Sequence, residues 1–584
     1  VWPRGSFNPD RPFVTHEYLN LCVKLDSRLE PRYSGAWLPP VTRKQRLEWL
    51  RTFGLDQTWG DRLQDAQHGL QRHYQKEGIE AARADPYCDG HIFWTIVDVV
   101  VAQGNTYSAQ GLFNPFWEGK SNGASAEAFR MFNGPSCVLL DTDPPSRIVT
   151  AGETFKADFR LAHFEGEPLV HPEVRWGFSV AGKTVGEARE RYSGELVCGP
   201  ARTVLSKSVT VPAVDRPEAA RFFVSIGSVS NEWPVWIFPK RDKKDGRALA
   251  VATRFRPALE GRYEGLLTEE SAANAAVVIA EYGSRLEEEA LERGQRVITL
   301  SGENGQPNIT LGWWSMGKQV GTALADHPAL KALPHEGYLS PLLFRMILQT
   351  GKALPYAGMA PADMLIVGEG GDRCFLYLAQ ANMGKGKAMM GFGLNLLADT
   401  PEAAALLDGL IDYVRSDAFS PKSRVEPIRP VPQNGWRKTL RAGDSSDRRE
   451  DLLDGYSRMA VARACSGQTE LVWETQPVPA TVRERPTFTF TFAGGMGYPQ
   501  QPPAAFSLSL NGKPVIRIPE IVWKDASWEG EGCVLRYQRD PASDELGIFT
   551  LMVPSERLEP GKPALLSVTA ETKNSRRWFA LLER

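Results

Sequence analysis

The chain has 584 residues, 42% of them hydrophobic and 24% charged, enough at roughly 100–200 residues per domain for several domains with separate cores. Its 68 basic and 70 acidic residues leave a formal charge of -2, so no strong field favours nucleic acid or an anionic membrane as the main partner. No apolar run approaches the roughly 20 residues that cross a bilayer, and the mean hydropathy is -0.31.

The seven cysteines (Cys22, Cys88, Cys137, Cys198, Cys374, Cys465 and Cys533) are scattered and form no C-x-x-C pair. Neither a zinc site nor a disulfide scaffold is indicated, and no cofactor motif is present. The compartment stays open, a secreted or periplasmic bacterial protein being one option. The chain opens at Val1 with no signal-like stretch before the first motif, and an upstream segment is expected.

In chain order, the first element is a short extended run, Arg11 to Thr15, ending in His16-Glu17. Thr42 caps a helix, and a longer one follows with Trp59, Leu63, Ala66, Leu70 and Tyr74 at spacings of three and four. His91 to Asp98 then reads as a strand buried on both faces. Strand, helices, strand is the grammar of a parallel sheet or barrel, but two strands cannot close one. Residues 1–125 should therefore not close on themselves, and should pack against another chain or an upstream segment.

From about residue 138 short alternating runs recur, as in Thr154 to Ala162, separated by Gly, Pro and charged turns. They predict an immunoglobulin-like β-sandwich over 138–242, closed by the charged linker 240–246. An α/β module follows over 247–424, with strands at 276–280 and 297–300 and a capping box at Ser284-Arg285-Leu286-Glu287. Further strands are expected at 365–368 and 375–378, a hairpin turn at Gly384 to Lys387, and a helix from Pro401. A Pro-rich linker, 427–432, leads to a second β-sandwich over 433–584, with Asn511-Gly512 as a hairpin turn.

Glu17 is the leading catalytic candidate, because a carboxylate ending a parallel strand sits where α/β barrels place chemistry, and His16 could orient it. Trp94 and Asp98 pair an aromatic face with a carboxylate, as sugar recognition requires, although a Trp in such a strand is core more often than platform. Trp313 and Trp314 present the same alternative. His68 and His73, five apart on a helix, do not make a metal pair. Cys374 opens a strand and lacks the strand-to-helix turn of a nucleophile.

Asp10-Arg11-Pro12-Phe13-Val14-Thr15-His16-Glu17, Tyr33-Ser34-Gly35, Gly90-His91-Ile92-Phe93-Trp94 with Asp98, and Gln103 through Lys120 resemble the last part of a glycoside hydrolase family 2 barrel. The resemblance continues in Gly312 to Gly317, His327 to Leu330, Pro334 to Tyr338 and Asn395 to Asp399, spanning residues 8–420. It implies that residues 1–137 are the C-terminal part of a (β/α)8 barrel, carrying the equivalents of strands seven and eight. It likens the α/β module to the glutamine-amidotransferase-like domain of some galactosidases. It maps Glu17 onto the nucleophile of a retaining β-glycosidase and Trp94 and Asp98 onto substrate contacts of the eighth strand. The family's acid/base glutamate falls in strands this chain lacks, and Val97 replaces an expected glutamine beside Asp98. The expected partners are a carbohydrate substrate, a missing N-terminal half or second chain completing the barrel, and further copies in a homo-oligomer. The rival expectation is a non-catalytic carbohydrate-binding or assembly subunit with a vestigial barrel.

Overall fold

A computed structural model describes residues 11–35, 38–99, 101–103, 106–300, 312–313, 321–347, 359–370, 373–425, 436–437, 458–463, 470–497, 504–519, 525–539, 546–571 and 577–583. Two compact units emerge, residues 1–348 with 356–426, and residues 349–355 with 427–584. The Trp314 position and the Pro-rich stretch 427–432 lie outside the described residues.

The first unit opens with β1 (Val14–Tyr18) and β2 (Leu21–Lys24), then α1 (Arg43–Arg51), α2 (Gln57–Ala84) and β3 (Gly90–Phe93). Thr42 caps α1 through a reciprocal box with Gln45, and the Asp56 carboxylate caps α2 at the Trp59 amide. β1 pairs in parallel with β3, Val14 opposite Gly90 and Tyr18 opposite Phe93. This sheet has two strands, and a closed (β/α)8 barrel is not formed among the described residues. β3 stops at Phe93, short of Asp98. Nor is the run buried on both faces, since Ile92 and Ile96 are each 52% exposed. The physical reason is the ladder: β3 has β1 on one side and no described strand on the other.

The segment does bury itself elsewhere, but on downstream parts of its own chain. Trp59, Leu63, Ala66 and Leu70 are buried, as their spacing predicts. The opposite flank of α2 also buries Gln64, Gln67, His68, Gln71 and Gln75. β2 pairs with 312–313 on one side and 106–109 on the other, and three of these glutamines bond further backbone groups of β2: Gln67 accepts from the Lys24 amide at 2.7 Å, and Gln64 and Gln71 donate to the carbonyls of Lys24 and Leu21. Buried backbone groups need partners, and the side-chain amides supply them. Glu80 fixes the last turns of α2 to the following sandwich by accepting from the Trp233 indole and the Asn231 amide, at 2.8 and 2.7 Å.

That sandwich faces a five-stranded sheet (183–191, 173–180, 218–226, 229–238 and 148–150) with a three-stranded one (199–210, 154–163 and 136–143). Phe155, Phe159, Phe178 and Phe222 fill its centre, edge-on or tilted to one another. The charged stretch after it is more than a linker. Arg241 and Lys244 both bind Asp408, and Lys244–Asp245 forms a short parallel pair with Tyr263–Glu264.

The α/β sheet runs in the order 249–251, 277–281, 296–300, 386–391, 373–383, 364–370 and 321–324, with 424–425 pairing beside 373–383. Its first four strands are parallel and the rest of that row antiparallel. The Ser284 cap, the turn at Gly384 and the helix Pro401–Arg415 stand where the residues predict them.

The second unit packs a five-stranded sheet (436–437, 470–477, 563–570, 506–510 and 513–518) with a six-stranded one (458–463, 578–583, 487–497, 546–554, 533–539 and 526–530). Its core holds Trp473, Phe492, Tyr537, Phe549 and Phe579. Asn511 and Gly512 both have positive φ, 50° and 78°, as a two-residue hairpin turn between right-twisting strands demands.

Cys22, Cys137, Cys374 and Cys533 are buried and Cys198 is exposed. Cys374 lies opposite Glu369 in the ladder, and burial, with that carboxylate's charge, holds its thiol well above the usual value. A thiol-labelling time course on the native protein should therefore modify Cys198 well before Cys374 and leave Cys374 unmodified until the chain unfolds. Rapid native alkylation of Cys374 would contradict this arrangement.

Candidate functional site

Glu17 and Trp94 lie toward the same end of the β1–β3 pair, where the Trp94 amide donates to the Tyr18 carbonyl at 3.0 Å. The ladder register breaks between Thr15 and Tyr18, and within that break Glu17 adopts φ +51°. Leu19 follows with φ +62°. A left-handed conformation costs a non-glycine residue roughly 1 kcal/mol or more, and so persists only where surrounding structure enforces it. Here the enforcement comes from α2: the Tyr18 hydroxyl donates to the Gly78 carbonyl at 2.8 Å, and Leu19 seats against Gly78. The half-buried Glu17 carboxylate has no hydrogen bond or ion pair among the described residues. His16 is exposed.

Trp94 is half-buried, and its peptide bond to Thr95 is cis. Its indole N–H points to the buried Gln110 Oε1 at 3.4 Å. From there a polar chain runs inward. Gln71 reaches the Gln110 carbonyl, the buried Lys120 ammonium reaches Gln71 Oε1 at 3.2 Å, and Lys120 lies 2.7 Å from Asp98. Asp98 also accepts from the Gly111 amide at 2.7 Å. The closeness demands glycine, because a Cβ at position 111 would lie 2.2 Å from the Asp98 nitrogen. Burial pushes the Asp98 carboxyl up and the Lys120 ammonium down, each opposed by the partner's charge. The Asp98 carboxylate is thus engaged inside the chain, fastening the exit of β3 to the segment 110–120. Tyr33 lies near enough for burial and then the Asp98 charge to raise its phenol.

A second polar cluster adjoins this one through Ser121. Arg28 bonds Asp26, Asp65 and Ser121, while His68 holds Ser121 and Gln64 with its two ring nitrogens. Burial and the Lys120 charge push His68 down to about 3, so the ring is neutral at pH 7. Burial raises the Asp26 carboxyl, but bonding to Arg28 outweighs it and leaves the group below its ordinary value. The sign follows from linkage. A depressed carboxyl stabilises the fold above its unfolded pKa, and that contribution is lost as pH falls through the folded value. Acid titration of Asp26→Asn should accordingly show a shallower loss of stability below about pH 4 than the wild type, measured by chemical denaturation. Parallel profiles would show that Asp26 contributes nothing to acid sensitivity.

Sequence reasoning singled out Glu17, His16, Trp94 and Asp98; Lys120, Gln71 and Gln110 complete the arrangement. The missed signal was the row Gln64, Gln67, Gln71 and Gln75, which repeats at helical spacing as an apolar stripe does. Among the described residues no three His, Cys, Asp or Glu side chains gather as a metal site would require.

A family model described as a domain of unknown function (DUF8488) matches residues 153–239, within the first sandwich. No curated protein matches the chain. Among solved structures, a CARDB domain from Pyrococcus furiosus is similar over 18% of this chain and 94% of its own, at 9% identity and a TM-score of 0.14. A β-glucuronidase from Bacteroides uniformis is similar over 30% of this chain and 20% of its own length, at 14% identity and a TM-score of 0.15. A cycloisomaltooligosaccharide glucanotransferase from Paenibacillus covers 76% of this chain and 71% of its own, at 9% identity and a TM-score of 0.17.

Proposed function

We propose that this chain is a carbohydrate-active protein carrying half of a retaining β-glycosidase site, with Glu17 as the nucleophile. The observation that carries the reading is the state of Glu17. It is a carboxylate in a left-handed backbone conformation at the end of a parallel strand, unpaired among the described residues, next to Tyr18, whose carbonyl accepts from the Trp94 amide. A left-handed, unpaired carboxylate held by its neighbours' packing is a pattern that accompanies functional sites. The resemblance of residues 10–17, 90–94 with Asp98, and 103–120 to the end of a glycoside hydrolase family 2 barrel supports the same assignment. Trp94 supplies a face for the sugar ring, and His16 a polar neighbour for Glu17. Asp98 acts through Lys120 on the loop and is a positioning residue.

A retaining mechanism needs a second carboxylate about 5–5.5 Å from the first, to protonate the leaving oxygen and later activate water. In this reading it comes from further strands of the barrel, on an upstream segment or a second chain. The open edge of the β1–β3 pair favours that completion. Parallel sheets are ordinarily covered on both faces, whereas Val14, Ile92 and Ile96 are half exposed here. The assembly holding those strands should hydrolyse an aryl β-galactoside or β-glucuronide, and Glu17→Gln should abolish the turnover. A complete wild-type assembly inactive on every β-glycoside would favour the binding-subunit reading instead.

A further inference from the structure

The segment Asn114–Pro115–Phe116–Trp117–Glu118 is a tight loop that displays one aromatic ring. The Asn114 side-chain oxygen accepts from the amides of Phe116 and Glu118, at 2.9 and 3.0 Å. The Asn114 and Glu118 backbones bond at 2.9 Å, and the Trp117 amide returns to the Asn114 carbonyl at 3.0 Å. Below the loop, Phe113 bridges both Gly119 and Val97, and Lys120 grips Asp98. The loop is therefore rigid and rooted on the segment that leaves β3 just after Trp94. Its side chains are braced as well, since Arg32 lies over the Phe116 ring at 5.0 Å and bonds Glu118, and Tyr33 meets Phe116 edge-on.

At the tip, Trp117 has φ +62° and is 67% exposed. No hydrogen bond or ring contact engages its indole among the described residues. Both features run against stability. A bulky residue is held where glycine is preferred, and a large apolar face is left in water. Packing explains neither.

We infer that Trp117 is a stacking platform for a pyranose ring, on a loop rooted on the segment that follows Trp94; the inference rests on the carbohydrate reading above. The neighbourhood fits that class of ligand. A sugar offers one flat C–H face and a rim of hydroxyls, and the loop offers one indole face with a guanidinium and a carboxylate, Arg32 and Glu118, each about half exposed.

The test is native affinity electrophoresis of the full chain through gels containing barley β-glucan, xylan or arabinogalactan, alongside Trp117→Ala, Trp117→Phe and Trp117→Gly. At least one polysaccharide should retard the wild type. Trp117→Ala should bind it about tenfold more weakly, the phenylalanine variant should fall between, and the melting temperature of Trp117→Gly should be unchanged or higher. Equal retardation of wild type and Trp117→Ala would overturn the inference, as would no retardation in any gel. Sedimentation showing wild-type self-association abolished by Trp117→Ala would overturn it in favour of a protein contact. Retardation requires no turnover, so a chain that binds but never hydrolyses keeps this inference and loses the hydrolase reading.

Discussion

Replacing Glu369 by alanine should destabilise the first unit by about 3–5 kcal/mol, the cost of stranding one member of a buried ion pair. Arg46 donates to both Glu369 oxygens at 2.6 Å, and Gln67 donates to one of them at 2.7 Å. The Glu369 side chain is wholly buried and that of Arg46 nearly so. Burial works against the Arg46 charge, yet the Glu369 carboxylate more than restores it and holds the guanidinium above its ordinary value. Remove the carboxylate and the cation stays in an apolar setting with one stacking contact, the Trp49 ring at 4.8 Å. Arg46→Ala should cost a comparable amount for the mirror-image reason. The double replacement Arg46→Met with Glu369→Leu should recover most of the loss, because the desolvation penalty disappears with the charges. Urea denaturation followed by tryptophan fluorescence measures all three. Single variants within about 1 kcal/mol of wild type would mean that water reaches the pair.

That pair also marks where sequence reading stopped. Arg46 and Glu369 are 323 residues apart, and neither sits in a motif. A salt bridge of such separation has no local signature. The sandwiches were legible because alternation fixes which side chains face inward, and Phe155, Ala157, Phe159 and Leu161 are all buried. The α/β strands were legible as short β-branched runs bounded by glycine. The end of β3 was not, because its apolar run resembles a strand covered on both sides while the described residues supply one neighbour. Glu17 and Trp94 could be named from their positions, but not the left-handed backbone that sets Glu17 apart. That conformation depends on Tyr18 and Leu19 fastening to Gly78, some 60 residues on. Asp98 could be named too, but its engagement with Lys120 depends on a loop folding back across Gly111.

Glu17→Gln in the completed assembly should lower turnover by several orders of magnitude and leave stability almost unchanged. The amide keeps the shape of the carboxylate but loses the negative charge that first stabilises, and then bonds to, the oxocarbenium-like carbon. The carboxylates that follow β3 are already engaged. Asp98 is bound to Lys120 and the Gly111 amide, and Glu118 is paired with Arg32. Stability should hold because the Glu17 side chain makes no polar contact among the described residues, so neutralising it breaks nothing. The same comparison exposes the backbone cost. Glu17→Gly should be inactive yet no less stable, and by up to about 1 kcal/mol more so, since glycine takes the left-handed conformation without strain while adding some unfolded-state freedom. Activity lost with stability kept or gained is the signature of a residue held for chemistry. If Glu17→Gln turns over aryl β-glycosides at the wild-type rate, Glu17 is an ordinary strand-end residue and the nucleophile must lie elsewhere. If it unfolds, the carboxylate has a structural partner in the assembly, and the strain at position 17 serves that contact.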